Sequence, residues 1–233
     1  MDHSERRPPT AEDPERGQIK SRERVRDLAE VYTHEREVAA MLDLVPDMFP
    51  SAEDPGNIDR AFLEPACGSG NFLVEILERK LAYVTPHRYG PRERFEYHVL
   101  RCVASIYGID ICEDNVVVAR ERMSDVIDAH VERHLGGETP APAFVSAVRA
   151  ILATNIIRGD TLTDAAQIEL VEYASPSEGM FIREWSHPLD PAANEPTLFS
   201  LAEPRRDAVP IHYSELACQP GPAGAELVDQ EAA

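Results

Sequence analysis

The chain has 233 residues, of which 43% are hydrophobic and 28% charged, as expected for a globular protein with one sizeable core. It has no apolar run of about 18 residues and no apolar segment behind its charged N-terminus, so we expect neither a transmembrane helix nor a signal peptide, and predict a cytoplasmic protein with no membrane partner. The net charge of −19 disfavours direct contact with a phosphate backbone, so we expect DNA binding to need help from a partner subunit.

The first half of the chain divides into an arm and the start of a domain. Residues 1–18 are polar and contain three prolines, which predicts a disordered N-terminal arm. Residues 19–188 are the predicted domain, beginning with a basic stretch at 19–27 that can start a helix. Apolar residues at helical spacing predict a helix over 35–45, which the prolines at 46 and 50 end.

Strands then alternate with helices, which predicts an α/β fold with a parallel sheet. The predicted strands lie at 61–64, 106–111 and 155–160, and each has an acid at or next to its end. The predicted helices lie after Gly70 and at 95–105, 116–135 and 143–155, with Asp114 and Asn115 as caps of the third.

Beyond residue 165 the pattern weakens. The stretch MFIREW at 180–185 predicts a fourth strand. Residues 189–233 are rich in proline and acids, which predicts an extended, poorly ordered C-terminal tail.

The segment FLEPACGSGNF at 62–72 is typical of a ligand-binding turn. Gly68 and Gly70 follow a strand and open a helix, so the backbone can approach a ligand closely. Position 73 is Leu where the dinucleotide fingerprint has its third glycine, and the carboxylate of Glu64 would repel a pyrophosphate. A ligand with an amine and a ribose suits this loop better, and S-adenosylmethionine is such a ligand. The alternative is that the two glycines only make a tight turn.

Two more carboxylates follow at successive strand ends. Asp110 ends the second strand, where an acid can accept hydrogen bonds from ribose hydroxyls, and Asp160 ends the third, where it can accept from an adenine amino group. Each alone could be a solvated helix cap. Together with Glu64 they form a constellation at one edge of the predicted sheet.

These motifs resemble those of adenine-specific (N6) DNA methyltransferases of restriction-modification systems. FLEPACGSGNFL resembles the family's first motif, IYGIDICEDNVVVARERM its second and NIIRGDTL its third. RVRDLAEVYTHEREVAAMLDLV resembles the lead-in segment, with Thr33-His34 in place of Thr-Pro. The likeness covers about residues 19–165. A group of small stand-alone methylase subunits is also similar, through the Glu-Trp-Ser stretch and VPIHYSEL. The resemblance implies a Rossmann-like, S-adenosylmethionine-dependent methyltransferase fold.

The resemblance also implies roles by position. Thr33 would contact the cofactor carboxylate, and Asp110 would hold the ribose. Ile111 would pack on adenine, and Asp160 would read its amino group with Thr161 or Leu162 beside it. The residues that would line the methionine part of the site are Glu64, Ala66, Gly68 and Gly70. The alternatives are a core position for Ile111 and a helix N-cap for Thr33.

One family motif is missing. The Asn/Asp-Pro-Pro-Tyr/Phe tetrapeptide, which holds the target amine and stacks on a flipped-out base, does not occur. The nearest candidate is Glu184-Trp-Ser-His-Pro188, which offers Trp185 for stacking and Ser186 and His187 as polar groups. The alternative is that Trp185 is a core or edge aromatic. The remaining chain is also too short for a full seven-stranded sheet, so the resemblance implies a truncated one.

Two functions therefore compete. The first is an adenine N6 DNA methyltransferase, or the methylase subunit of a restriction-modification system, which needs neither a metal nor a covalent intermediate. The second is a non-catalytic S-adenosylmethionine-binding subunit or sensor of a restriction or defence complex. The set of motifs resembles the methyltransferase family and so favours the first function. The missing tetrapeptide and the net charge of −19 favour the second.

Overall fold

The computed structural model describes residues 33–187 and 205–219, which form a mixed α/β fold with two three-stranded sheets. The predicted arm at 1–18 and most of the predicted tail lie outside the described residues. In the described ranges, no helix is both long and apolar enough to cross a membrane.

The α-helices are α1 (Glu35–Leu42), α2 (Asn71–Leu81), α3 (Pro86–Tyr89), α4 (Arg92–Ala104), α5 (Glu113–Leu135) and α6 (Pro142–Asn155). The strands are β1 (Phe62–Glu64), β2 (Ile106–Asp110), β3 (Ile156–Arg158), β4 (Leu170–Ser177), β5 (Met180–Ser186) and β6 (Ile211–His212). Short 3₁₀ helices cover Pro46–Met48, Ala165–Gln167 and Tyr213–Glu215.

The first sheet is parallel, as the alternation of strands and helices predicts. Its order is β1-β2-β3, with Phe62 opposite Ile106 and Gly108 opposite Ile156. Helices α2 to α4 connect β1 to β2, and α5 and α6 connect β2 to β3. The arrangement is compatible with one half of a Rossmann-like sheet, and it brings the carboxyl ends of all three strands to one edge.

The main core lies on the α2 side of this sheet. All five residues of β2 are buried, and Gly108 lies so close to α2 that a Cβ there would be 2.7 Å from Leu73 Cδ1. On the opposite face Tyr107 and Ile109 join Ile168 and Leu170 in a second, smaller cluster. The chain that follows β3 therefore covers part of the second face.

A buried lysine ties the segment before β1 to the helices. Lys80 of α2 is fully buried, and its ammonium donates to the carbonyls of Ile58 and Arg60 and to the Ser105 hydroxyl. Burial lowers the pKa of Lys80 to about 8. Because three acceptors surround the ammonium, the desolvation of this group is partly offset by hydrogen bonds. The contact fixes where β1 starts beside β2.

The second sheet is antiparallel and only part of it was expected. β5 matches the predicted strand at 180–185, and its alternation buries Phe181, Arg183 and Trp185 on one side. β4 was not predicted, because its sequence LVEYASPS has a proline and lacks a clean period of two. The two strands pair as a hairpin, with Val171 opposite Trp185.

Residues 205–219 differ from the expectation of an extended tail. β6 pairs with β5, placing Ile211 opposite Phe181, and Tyr213 and Leu216 are buried in the main core. Arg183 forms an ion pair with Asp207, Nε to Oδ2 at 2.9 Å, which anchors the returning chain. The acidic and proline-rich composition concealed three apolar anchors, Ile211, Tyr213 and Leu216, whose spacing predicts neither a strand nor a helix.

Acid is expected to destabilise the fold through His130. Its ring is buried, its Nε2 lies 2.8 Å from Val84 O, and burial lowers the pKa of His130 to about 4, with the nearby His134 and Arg133 acting in the same direction. The unfolded chain takes up this proton near pH 6.5, whereas the folded chain does not. Stability from this group is therefore complete above about pH 6.5 and declines as the pH falls towards 4.

Urea unfolding at pH 7.5 and pH 5 measures this effect. The parent is expected to lose about 1–2 kcal/mol more than His130→Gln, which keeps an N–H donor for Val84 O but does not titrate. His134→Gln is the neighbouring control. Equal losses for the parent and His130→Gln would contradict the prediction.

Candidate cofactor site

The turn after β1 is bound directly to the end of β2. Gly68 N donates to Asp110 Oδ2 at 2.8 Å. The other oxygen of Asp110 accepts from Cys112 N at 2.8 Å and from Asn115 Nδ2 at 3.2 Å. Helix α5 starts at Glu113 with Cys112 as N-cap, so Asp110 fixes this helix start instead of the predicted caps Asp114 and Asn115.

The end of β3 reaches the same place. Gly159 N donates to Asp110 O at 3.0 Å, and the Thr161 hydroxyl donates to Pro65 O at 3.3 Å. The loops that follow all three parallel strands are therefore joined by hydrogen bonds. The structure brings the three predicted loops together at the edge where ligands bind in such sheets.

Gly68 and Gly70 of the turn have different structural roles. Both have positive φ, 54° at Gly68 and 86° at Gly70. A Cβ on Gly70 would lie 3.0 Å from Ala119 Cβ, so this residue allows α2 to pack closely against α5. A Cβ on Gly68 would meet nothing within 4 Å. Gly68 is therefore the position that leaves open space for a ligand, and Gly70 serves packing.

Two side chains that the sequence analysis did not identify hold this region. Asn71, the first residue of α2, donates from Nδ2 to Thr33 O at 2.8 Å. Arg122 Nη1 donates to Ser69 O and to Asn71 Oδ1, both at 2.7 Å. Asn71 follows Gly70 directly and could have been noticed, whereas Arg122 lies far along the chain and no local pattern points to it. Together they place Thr33 at the start of α2.

The start of α2 has no side-chain cap. Its N-cap is Gly70, and the first N–H groups of a helix have no partner within the helix. Val74 N is the first donor of the helix to bond back, to Gly70 O. The first turn can therefore donate hydrogen bonds to a carboxylate beside Thr33.

The three predicted carboxylates surround the turn but also serve their own loops. Glu64 Oε1 accepts from Ala66 N at 3.2 Å. Asp160 Oδ1 accepts from Leu162 N and Thr163 N, and hydrogen bonds from the Thr163 side chain and these amides lower the pKa of Asp160. Asp110 is only 9% exposed. Since a carboxylate has about four acceptor positions and Asp110 uses three, one remains for a ligand.

The site is negative and its thiol is unreactive. Burial, together with the carboxylates of Asp110 and Glu64, raises the pKa of Cys67 to about 12. A neutral thiol is a poor nucleophile, so covalent chemistry at Cys67 is disfavoured. Among residues 33–187 and 205–219, no group of three or more His, Cys, Asp or Glu is arranged to hold a metal.

Apolar side chains are exposed next to the acids. Ile111 is 44% exposed and Leu162 is 93% exposed, although both are large and apolar. Ile111 is therefore not a core residue. A cavity of about 590 Å³ is lined by Ile111, Gly159 and Asp160, among others, and is large enough for a purine ring.

The Glu-Trp-Ser-His stretch does not form an open stacking site. Trp185 is 7% exposed, and the guanidinium groups of Arg183 and Arg205 lie over its ring at 5.2 and 5.8 Å from the centroid. Ser186 donates to Glu172, and His187 Nδ1 lies 3.1 Å from Ile168 O. The alternation of β5 buries every second side chain, and Trp185 is one of these. Its position therefore agrees with the alternative that Trp185 is a core or edge aromatic.

Compared with known proteins, the chain matches no family model, no curated protein and no solved structure. Inference about its function therefore rests on the residues and their geometry.

Proposed function

We propose that the chain binds S-adenosylmethionine at the carboxyl ends of β1, β2 and β3. The observation that carries the proposal is the hydrogen bond from Gly68 N to Asp110 Oδ2, beside open space at Gly68. It places a backbone turn that a ligand can approach next to a carboxylate that can accept from a ribose. A small-molecule site of this type needs such a close approach and a few fixed polar groups.

In this proposal each part of the cofactor has a matching group. Its carboxylate lies near Thr33 and the first turn of α2, and its ammonium and sulfonium lie among the acids around Glu64 and Ala66. One ribose hydroxyl donates to the remaining acceptor position of Asp110. The adenine packs on Ile111 and is read by Asp160, with Thr161 alongside. The surplus of carboxylates suits a cationic ligand better than a pyrophosphate.

The proposed reaction is methyl transfer to the amino group of adenine in DNA, as the methylase subunit of a restriction-modification system. When bound, S-adenosylmethionine supplies the methyl group. The contribution of this chain is to hold the cofactor, since in-line transfer to an amine depends mainly on positioning. The neutral thiol of Cys67 supports a transfer without a covalent enzyme intermediate.

A non-catalytic subunit or sensor is the second candidate. Two observations favour it: Trp185 lies under two guanidinium groups, and β1 to β3 are the only strands of the parallel sheet in the described part of the chain. In this alternative the cofactor site is the same and the reaction is absent. Cofactor binding is therefore common to both functions.

Replacing Gly68 by alanine is expected to weaken cofactor binding by about tenfold, because the added Cβ points into the space that the ligand would occupy. Isothermal titration calorimetry with S-adenosylmethionine measures the change. Gly136→Ala is a matched control, since Gly136 also has a φ near +60° and open space around its Cβ, but ends α5. Both variants incur similar backbone strain of about 1–2 kcal/mol. Equal affinities for the two variants would contradict the site.

A further inference from the structure

The outer edge of β1 is open. In the described ranges β1 pairs with β2 alone. Phe62 N donates to Ser105 O, and in a parallel ladder the next residue directs its N–H and C=O to the opposite side. The backbone groups of Leu63 therefore face away from β2, and the residue is 38% exposed. A free edge of this kind readily pairs with another extended segment.

A groove of about 560 Å³ lies beside this edge. One wall includes Ala61, Leu63 and Tyr107. The other wall is one face of the β4–β5 hairpin, because β5 buries Phe181, Arg183 and Trp185 and turns the alternate residues towards the groove. The hairpin residues that line the groove on this face are Leu170, Glu172, Ala174, Ile182, Glu184 and Ser186.

The hairpin wall carries two neighbouring carboxylates that are only partly compensated. Glu172 and Glu184 are directly opposite each other in the ladder, and both line the groove. Like charges at opposed positions are destabilising unless a cation lies beside them. Glu184 forms a long ion pair with Arg206, Nε to Oε2 at 3.7 Å, and Glu172 accepts a hydrogen bond from the Ser186 hydroxyl but has no cation beside it in the described ranges. Arg101, which also lines the groove, forms an ion pair with Asp59.

We propose that this groove binds an extended, basic segment of a second polypeptide, which pairs with the backbone of Leu63 as an added strand. Main-chain hydrogen bonds would supply affinity, and alternate side chains would enter the groove. A lysine or arginine of the partner lies beside Glu172 and Glu184, and apolar side chains pack on Leu63 and Ile182. A second copy of this chain is disfavoured by its net charge of −19.

This surface is separate from the cofactor site. No residue that lines the groove belongs to the set proposed to bind S-adenosylmethionine, and Leu63 precedes the turn. The partner strand would occupy the position next to β1 at which a doubly wound sheet continues. The inference therefore holds whether or not the chain binds the cofactor.

Two fluorescent probes test the proposal: an eight-residue peptide of alternating Val and Lys, and its counterpart of alternating Val and Glu. The Lys peptide is expected to bind at least about tenfold more tightly in anisotropy titrations, and to slow hydrogen exchange at the Leu63 amide. The double variant Glu172→Lys, Glu184→Lys is expected to weaken its binding by about tenfold or more. The control is Glu121→Lys, Glu132→Lys, an equal charge change at exposed positions of α5.

Several outcomes would overturn the proposal. One is equal affinity of the parent chain for the Lys and Glu peptides. A second is equal affinity of the Lys peptide for the two double variants. Another is peptide binding without protection of the Leu63 amide, as a ligand that only fills the groove would give. Slow exchange at Leu63 in the free chain would show that the chain itself occupies the edge. Protection that grows with protein concentration, together with a dimer by light scattering, would identify a second copy as the occupant.

Discussion

Replacing Asp110 by alanine is expected to weaken S-adenosylmethionine binding by about ten- to a hundredfold, because a hydrogen bond to a charged group contributes roughly 1.5–3 kcal/mol. The substitution also removes the acceptor of Gly68 N and Cys112 N, so the turn loses the contact that fixes it. Calorimetry on the folded variant measures the loss. Asp114→Ala removes an exposed carboxylate from the first turn of α5 and should bind like the parent.

A ligand comparison separates the two roles of Asp110. S-adenosylhomocysteine and its 2′-deoxy analogue differ only in a ribose hydroxyl. If Asp110 accepts from the ribose, the parent should discriminate between the two ligands and Asp110→Ala should not. A variant that loses affinity for both ligands equally, and keeps the discrimination, would limit Asp110 to holding the turn. A loss under twofold for both ligands would remove it from the site.

The purified chain alone is expected to methylate DNA at least about a hundredfold more slowly than the chain assembled with a partner. Misplacing a reacting group by about 1 Å can cost on the order of a hundredfold in rate, and this chain lacks the Asx-Pro-Pro-aromatic motif that holds the amine. Trp185 cannot replace its aromatic residue while Arg183 and Arg205 cover the ring. The charge of −19 also opposes duplex binding at physiological salt.

Transfer of tritiated methyl groups to genomic DNA from a methylation-free host measures this activity. The purified chain is compared with the complex isolated from cells that express it with its natural neighbours. Robust transfer by the chain alone would contradict the expectation. If Trp185→Ala then abolished that transfer without changing cofactor affinity, Trp185, Ser186 and His187 would form the substitute site.

The sequence predicted the features that depend on local pattern. The strand, Gly-x-Gly turn and helix at 62–81 are encoded within twenty residues, and the carboxylates at 110 and 160 follow short apolar runs that lie between helical patterns and so predict strands. Parallel pairing then follows from the intervening helices. The convergence of Gly68, Asp110 and Thr161 is a consequence of this topology, so the site could be outlined before its geometry was known.

The remaining features depend on contacts between distant residues. The sequence predicts that Gly70 lies beside the ligand. In the structure a Cβ on Gly70 would instead contact Ala119 of α5, which is distant in sequence. Arg122 donates to Ser69 of the turn across 53 residues of sequence. Residues 205–219 are held against the domain by strand pairing with β5, three scattered apolar anchors and the Arg183–Asp207 ion pair, which no periodicity reveals. Packing partners of this kind have no signature in one sequence.

Hydrogen exchange of the whole chain with and without S-adenosylmethionine tests most directly whether the cofactor lies at the carboxyl ends of the parallel strands. The first turn of α2 has amides without a helical partner, so their exchange should be slowed by a bound carboxylate. The predicted result is slower exchange within residues 66–73, 110–113 and 160–163, and no change in the β4–β5 hairpin. Unchanged exchange in these three segments at saturating cofactor, or protection confined to the hairpin, would contradict the proposed site.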